Sequence, residues 1–308
     1  MTNQAQLPPA ARAMGLSREP ADVLLEALGD PSALVRWAAA EALARRRDGQ
    51  VGAKLLALAR EGDPSARAAA LDALSRRADA PVELADLLTR GLGDEQAAEL
   101  RQAAVQALAR RPDPALAGRL AALAQGAEAD VALRNAALEA LGALPAATPE
   151  VAEALLAALA DPCAPLRASA ARAMNRLRWP EGRDALALAL RDPEPQVRGE
   201  AACALALVGD RSSQPALQDL LADRQALFGR EVRHLARQAL RRIALRETVR
   251  EVKGWLAAQA ASLRRRLAQL ATRPTPPAEP LPGPEQPSEI EPGAEPQPAE
   301  QGPDERAE

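Results

Sequence analysis

One histidine, His234, and two cysteines, Cys163 and Cys203, are the side chains of this 308-residue sequence best suited to proton transfer, nucleophilic attack or soft metal binding. A lone histidine cannot build His-Glu-x-x-His, and the two cysteines fit no metal-ligand spacing. The chain has neither a phosphate-cradling glycine loop nor a Gly-x-Gly-x-x-Gly turn. These residues therefore predict no catalytic group, no metal and no cofactor, and they read the cysteines as free thiols of a reducing compartment. What the chain repeats instead is arginine. Arg36, Arg67, Arg101, Arg134, Arg167, Arg198 and Arg233 are spaced by 31, 34, 33, 33, 31 and 35 residues. Each is followed by alanine at +3 (Ala39, Ala70, Ala104, Ala137, Ala170, Ala201, Ala236) and by leucine or methionine at +7 (Leu43, Leu74, Leu108, Leu141, Met174, Leu205, Leu240).

A fixed period near 33 residues marks a solenoid whose units bury apolar surface only against their neighbours. In the first unit Leu24, Leu25 and Leu28 form one helical stripe, and Gly29-Asp30-Pro31-Ser32 ends it, with Asp30 placed to cap the next helix. That second helix carries Val35, Ala39, Ala42 and Leu43 on one face. We label the two helices of a unit A and B. Asp63-Pro64, Asp161-Pro162 and Asp192-Pro193 repeat the turn, and Asp94, Asp130 and Asp223 serve in the other units. The residue before each arginine (Val35, Ala66, Leu100, Leu133, Leu166, Val197, Val232) is apolar and anchors helix B. Alanine, about a quarter of the chain, favours helix and lets helices approach closely.

The pattern Asp-Pro-x-x-x-[Val/Leu]-Arg-x-x-Ala-x-x-x-Leu resembles HEAT repeats, in particular the short units also seen in phycobilisome lyases. The resemblance covers residues 20–245 and implies an all-α fold, a right-handed α-solenoid of about seven helical hairpins. It implies that each arginine pairs with turn aspartates of its own or the neighbouring unit, a structural role. It further implies that B helices line a concave groove, and that the protein is a scaffold or adaptor holding a protein or peptide. An accessory lyase or chaperone handling a tetrapyrrole is the alternative, although no residue matches a catalytic motif of that family. Iron bound through repeated His-Glu pairs, as in some HEAT-like enzymes, is excluded by the single histidine. DNA binding, known in distant HEAT-like proteins, fits poorly with 1% aromatic residues.

Helical period turns the −1, +3 and +7 positions inward and the +1, +5 and +8 positions outward. The outward rows of helix B supply the candidate groove residues Trp37, Gln102, Asn135 and His234 at +1, Glu41, Asp72, Gln106, Glu139, Arg172 and Gln238 at +5, and Asn175 at +8. This predicts an acidic N-terminal half (Glu41, Asp72, Glu139) and a neutral to basic C-terminal half (Arg172, Arg241). Trp37 is either an interface anchor or covered by residues 1–19.

Outside the repeats the chain changes character. Residues 1–19 are polar and proline-punctuated, an N-terminal extension shielding the first unit. No stretch has signal-peptide or membrane-spanning character, which predicts a cytoplasmic protein, and a monomer is expected. Residues 246–273 read as a cationic amphipathic helix with the stripe Val249, Val252, Leu256, Ala260, Leu263, Leu267 and Leu270. Counted from Arg241 to Arg273, this segment carries a net charge of +7. Residues 274–308, with 11 prolines and a net charge of −8, cannot bury a core and are expected to be disordered. The basic helix either caps the last repeat, the preferred reading because its stripe begins close to that repeat, or lies on an anionic membrane.

Overall fold

A computed structural model of the chain describes residues 8–93, 96–126, 129–227 and 229–271. Asp94 and the acidic tail 274–308 lie outside the described residues. The described chain is a series of antiparallel helix pairs. Helices A and B of the first three units are α2 (Ala21–Ala27) with α3 (Ala33–Ala44), α4 (Gly49–Glu61) with α5 (Pro64–Arg76), and α6 (Leu84–Gly91) with α7 (Ala98–Arg110). The next three are α8 (Ala117–Gln125) with α9 (Val131–Leu141), α10 (Pro149–Leu159) with α11 (Ala164–Leu177), and α12 (Arg183–Ala189) with α13 (Pro195–Val208). The seventh pairs α14 (Gln214–Asp219) with the first turns of α15 (Val232–Ala271). Successive B helices pack on one another, so the core runs continuously from unit to unit.

The sequence pattern maps directly onto that core. All seven +3 alanines are fully buried, as are Leu43, Leu74, Leu108, Leu141, Met174 and Leu205 at +7, with Leu240 partly buried. The apolar residues preceding the arginines are buried too. Each buried leucine contributes about 1.5–3 kcal/mol from lost contact with water. The alanines contribute mainly by their smallness, which brings neighbouring B helices together. At the end of α9 even alanine is too large: a Cβ on Gly142 would stand 2.7 Å from the Ala173 Cα of α11.

The helix before the first unit, α1 (Pro9–Gly15), packs against α3 as a preceding B helix would, and Leu16 is buried beneath it. Two features differ from the sequence reading. An antiparallel hairpin, β1 (Ala226–Leu227) and β2 (Arg230–Glu231), fills the loop between α14 and α15, turning at Gly229 with φ +77°. The helix placed at 246–273 is the continuation of α15, which starts at Val232 and passes through Gly254 unbroken.

The chain divides into two compact units, residues 1–253 and 254–308. In the second, the described side chains of residues 254–269 are exposed except for half-buried Ser262. Within this unit, Leu263 and Leu267 of the amphipathic stripe are 58% and 64% exposed.

Candidate functional site

The repeat arginines hold the turns between helices. Arg167 donates from Nη1 to the carbonyls of Asp161 (3.0 Å) and Pro162 (3.1 Å) in its own turn. Its Nε and Nη2 donate to both oxygens of Asp192, one unit on, at 2.7 and 2.8 Å. Arg198 repeats this with the Asp192 and Pro193 carbonyls, both at 2.7 Å, and with Asp223 Oδ2 at 2.7 Å. Arg134 reaches Asp161 Oδ2 at 2.5 Å, and Arg12 of α1 pairs with Asp30 in the same sense. Each of these aspartates therefore serves two partners, because its Oδ1 also accepts a backbone N–H: Ser32 for Asp30, Cys163 for Asp161, Glu194 for Asp192. Burial alone would raise the Asp192 carboxyl, but the hydrogen bonds from Arg167 and the Glu194 N–H, with the Arg167 and Arg198 charges, hold it below its ordinary value. Asp161 is lowered on the same balance, by the Cys163 N–H and by Arg134 and Arg167 against burial.

Not every unit follows the rule. Arg36 holds the Asp30 and Pro31 carbonyls but then pairs with Glu99 of the third unit, which also accepts from Ser65 Oγ at 2.7 Å. Arg67 donates to the Ala59 carbonyl at 3.3 Å, Arg233 pairs with Glu231, and Arg101 is half-buried. A second set of arginines escaped the sequence reading. Arg46, Arg77 and Arg111 stand ten residues after Arg36, Arg67 and Arg101, and bond carbonyls of the preceding turn. Arg77 is 1% exposed and donates to the carbonyls of Leu43, Arg46 and Asp48. Its signal was present as that +10 spacing.

The outward rows of the B helices are only partly free. At +1, Trp37 and His234 are exposed and Gln102 and Asn135 half-buried, whereas Ala68, Ala168 and Gly199 are buried. Gly199 is covered by the hairpin: a Cβ there would stand 2.5 Å from Leu227 Cδ2. At +5, Gln106 and Gln238 are exposed while Glu41, Asp72, Glu139 and Arg172 are half-buried, and Asn175 at +8 is half-buried as well. The expected acidic half is corrected here, because its carboxylates are neutralised by arginines. Glu41 pairs with Arg45 and Arg76, both at 2.7 Å. Asp72 pairs with Arg76 at 3.0 Å and Arg110 at 2.8 Å. Further along, Arg172 lies between Glu139 (3.6 Å) and buried Glu200 (3.1 Å). Cys203 faces this charge, and burial, followed by the Glu200 charge, pushes its thiol up and away from reactivity.

Two adjoining recesses open on this face. One, of about 210 Å³, is floored by Ala40, Ala68, Ala69 and Ala103 and rimmed by Trp37, Asp72, Gln102 and Gln106. Alanine and not a larger residue at these four positions makes the space. The other, of about 540 Å³, shares Trp37, Asp72 and Gln106 but is walled by Arg76, Arg110, Glu139 and Arg176. Trp37 lines both and is 53% exposed. Among the described residues no group of three His, Cys, Asp or Glu side chains could hold a metal ion, and no helix is long and apolar enough to cross a membrane.

No curated protein is significantly similar to the chain in sequence. Solved structures do resemble it. The Escherichia coli protein YibA is 19% identical with a TM-score of 0.55, over 72% of this chain and 82% of that one. Yeast importin-beta (Kap95p) is 16% identical with a TM-score of 0.56, over 76% of this chain and 39% of its own much longer length. At these identities the likeness is one of fold. A sequence profile of HEAT repeats matches residues 21–109, 85–175 and 152–241. Those matches together run through all seven helix pairs, and the chain belongs to the HEAT-repeat family.

Proposed function

We propose that this chain is a non-enzymatic adaptor that holds a protein or peptide on its B-helix face, with Trp37 as the anchor. The observation that carries the reading is the alanine-floored recess beside an exposed tryptophan. Large aromatic residues beside well-formed pockets supply most of the energy of protein interfaces. The apolar recess, about 210 Å³, is smaller than the roughly 300–1,000 Å³ of typical small-molecule sites, and suits an inserted apolar side chain. The adjoining recess, walled by ion-paired Arg76, Arg110 and Glu139, offers polar partners to the backbone on either side of that side chain. The fold relative Kap95p binds RanGDP, which supports protein recognition as a use of such a solenoid.

The test is capture of partners from the source cells by three forms of the chain: native, Trp37→Ala and Ala103→Glu. Truncation removes the anchor, and the glutamate fills the recess with charge while occupying a half-buried position. A partner held by the native chain should be lost from both variants with melting temperature unchanged. Equal capture by all three sinks the reading.

A further inference from the structure

The helical stretch from Gly254 onward presents large apolar side chains to water. Trp255, Leu256, Leu263 and Leu267 are 62%, 54%, 58% and 64% exposed. Single exposed leucines are ordinary, but these are aligned. At about 100° per residue, Leu256, Leu263 and Leu267 fall within an arc of about 40°. Arg264 lies about 80° to one side of that arc, Arg266 about 80° to the other, and Trp255 about 100° away on the Arg266 side. Arg265 points to the opposite face. Residues 254–271 contain three arginines and no acidic residue, so no ion pair within the stretch offsets these charges.

From this we infer that residues 254–271 lie flat on an anionic lipid bilayer, leucines down, with Arg264 and Arg266 at the two waterlines. A helix in that position sinks its apolar stripe among the acyl chains while arginines reach sideways to phosphates. Tryptophan is the residue enriched at that depth. Other occupants fit less well. A second copy would bring Arg264 and Arg266 against their own equivalents with no carboxylate to separate them. Nucleic acid would use the arginines and leave the leucines in water. A protein groove would have to be apolar at its floor and acidic on both walls, whereas an anionic membrane meets all three requirements at once. The helix lies on the surface and does not cross, in keeping with its charge.

The experiment is co-sedimentation of the full chain with vesicles of phosphatidylcholine, alone or mixed with phosphatidylserine. Binding is expected to the mixed vesicles only. Replacing Leu263 and Leu267 together by glutamine should weaken it at least about tenfold. Replacing Arg264 and Arg266 together by glutamine should weaken it about 30-fold, and Arg265→Gln by no more than about threefold, since that side chain faces away. All these positions are exposed, so the melting temperature should not change. Absence of binding to the mixed vesicles overturns the assignment. So does binding that ignores the leucines, or binding that falls equally for each arginine, because either result reports charge attraction without an inserted face. Loss of a soluble protein partner from the leucine variant, with the native chain leaving vesicles unbound, transfers the surface to a protein groove.

Discussion

The repeat arginines are clamps before they are charges. Arg167 and Arg198 each satisfy two carbonyls and a carboxylate, and the side chain that does this must be planar and forked, which lysine is not. The acid dependence of stability follows from the turn aspartates. Asp192 is held below its ordinary value of 3.8 in the folded chain, so folding favours the ionised form. Its contribution is complete above the unfolded value and disappears as pH falls through the folded one. Asp192→Asn should therefore be less stable than the native chain near neutrality, and should lose less between about pH 5 and about pH 2. Urea unfolding across that range measures both, and parallel pH profiles would refute the linkage. The arginines were legible in the sequence as a periodic set, and the family resemblance supplied the aspartate partners of Arg134, Arg167 and Arg198. Their carbonyl bonds were not legible, since backbone acceptors leave no residue signature. The Arg36–Glu99 pair was invisible for another reason: it departs from the period.

At the scale of elements, periodic apolar residues located the helices well because burial and period coincide on a helix packed on one side. The hairpin at Ala226–Glu231 could not be read this way, as two-residue strands show no alternation. Its effect on the face is large, since Leu227 closes over the +1 position of the sixth unit. Gly199→Ala would press a methyl group to within 2.5 Å of Leu227 Cδ2, and should cost about 1–2 kcal/mol of stability through overpacking. In a Leu227→Ala background the same substitution should cost little, and a double-mutant cycle read by thermal unfolding gives the coupling. Independent costs would mean that the hairpin does not cover this position. The acidic groove was misread by considering one row alone. Arg45, Arg76 and Arg110, nine residues after their repeat arginines, come back to the carboxylates of that row. Residue 246, where the sequence reading divides the repeats from the terminal helix, lies inside α15.

For the molecule as a whole, contacts between successive pairs make stability a sum over junctions. Arg167→Met removes the clamp between the fifth and sixth units, leaves Asp192 without its main partner, and should cost about 2 kcal/mol. Amide hydrogen exchange should then accelerate in α11 and α13 well before α3 and α5. Uniform acceleration along residues 1–253 would show that the unit unfolds as one. One contact escapes that scheme. Arg36 and Glu99 clip the first pair to the third across the second, and Ser65 adds a third point to the same clip. Under tension such a chain does not lengthen evenly. Links later in the series can open singly, whereas the clip couples the opening of the leading three pairs, the one that carries Trp37 among them.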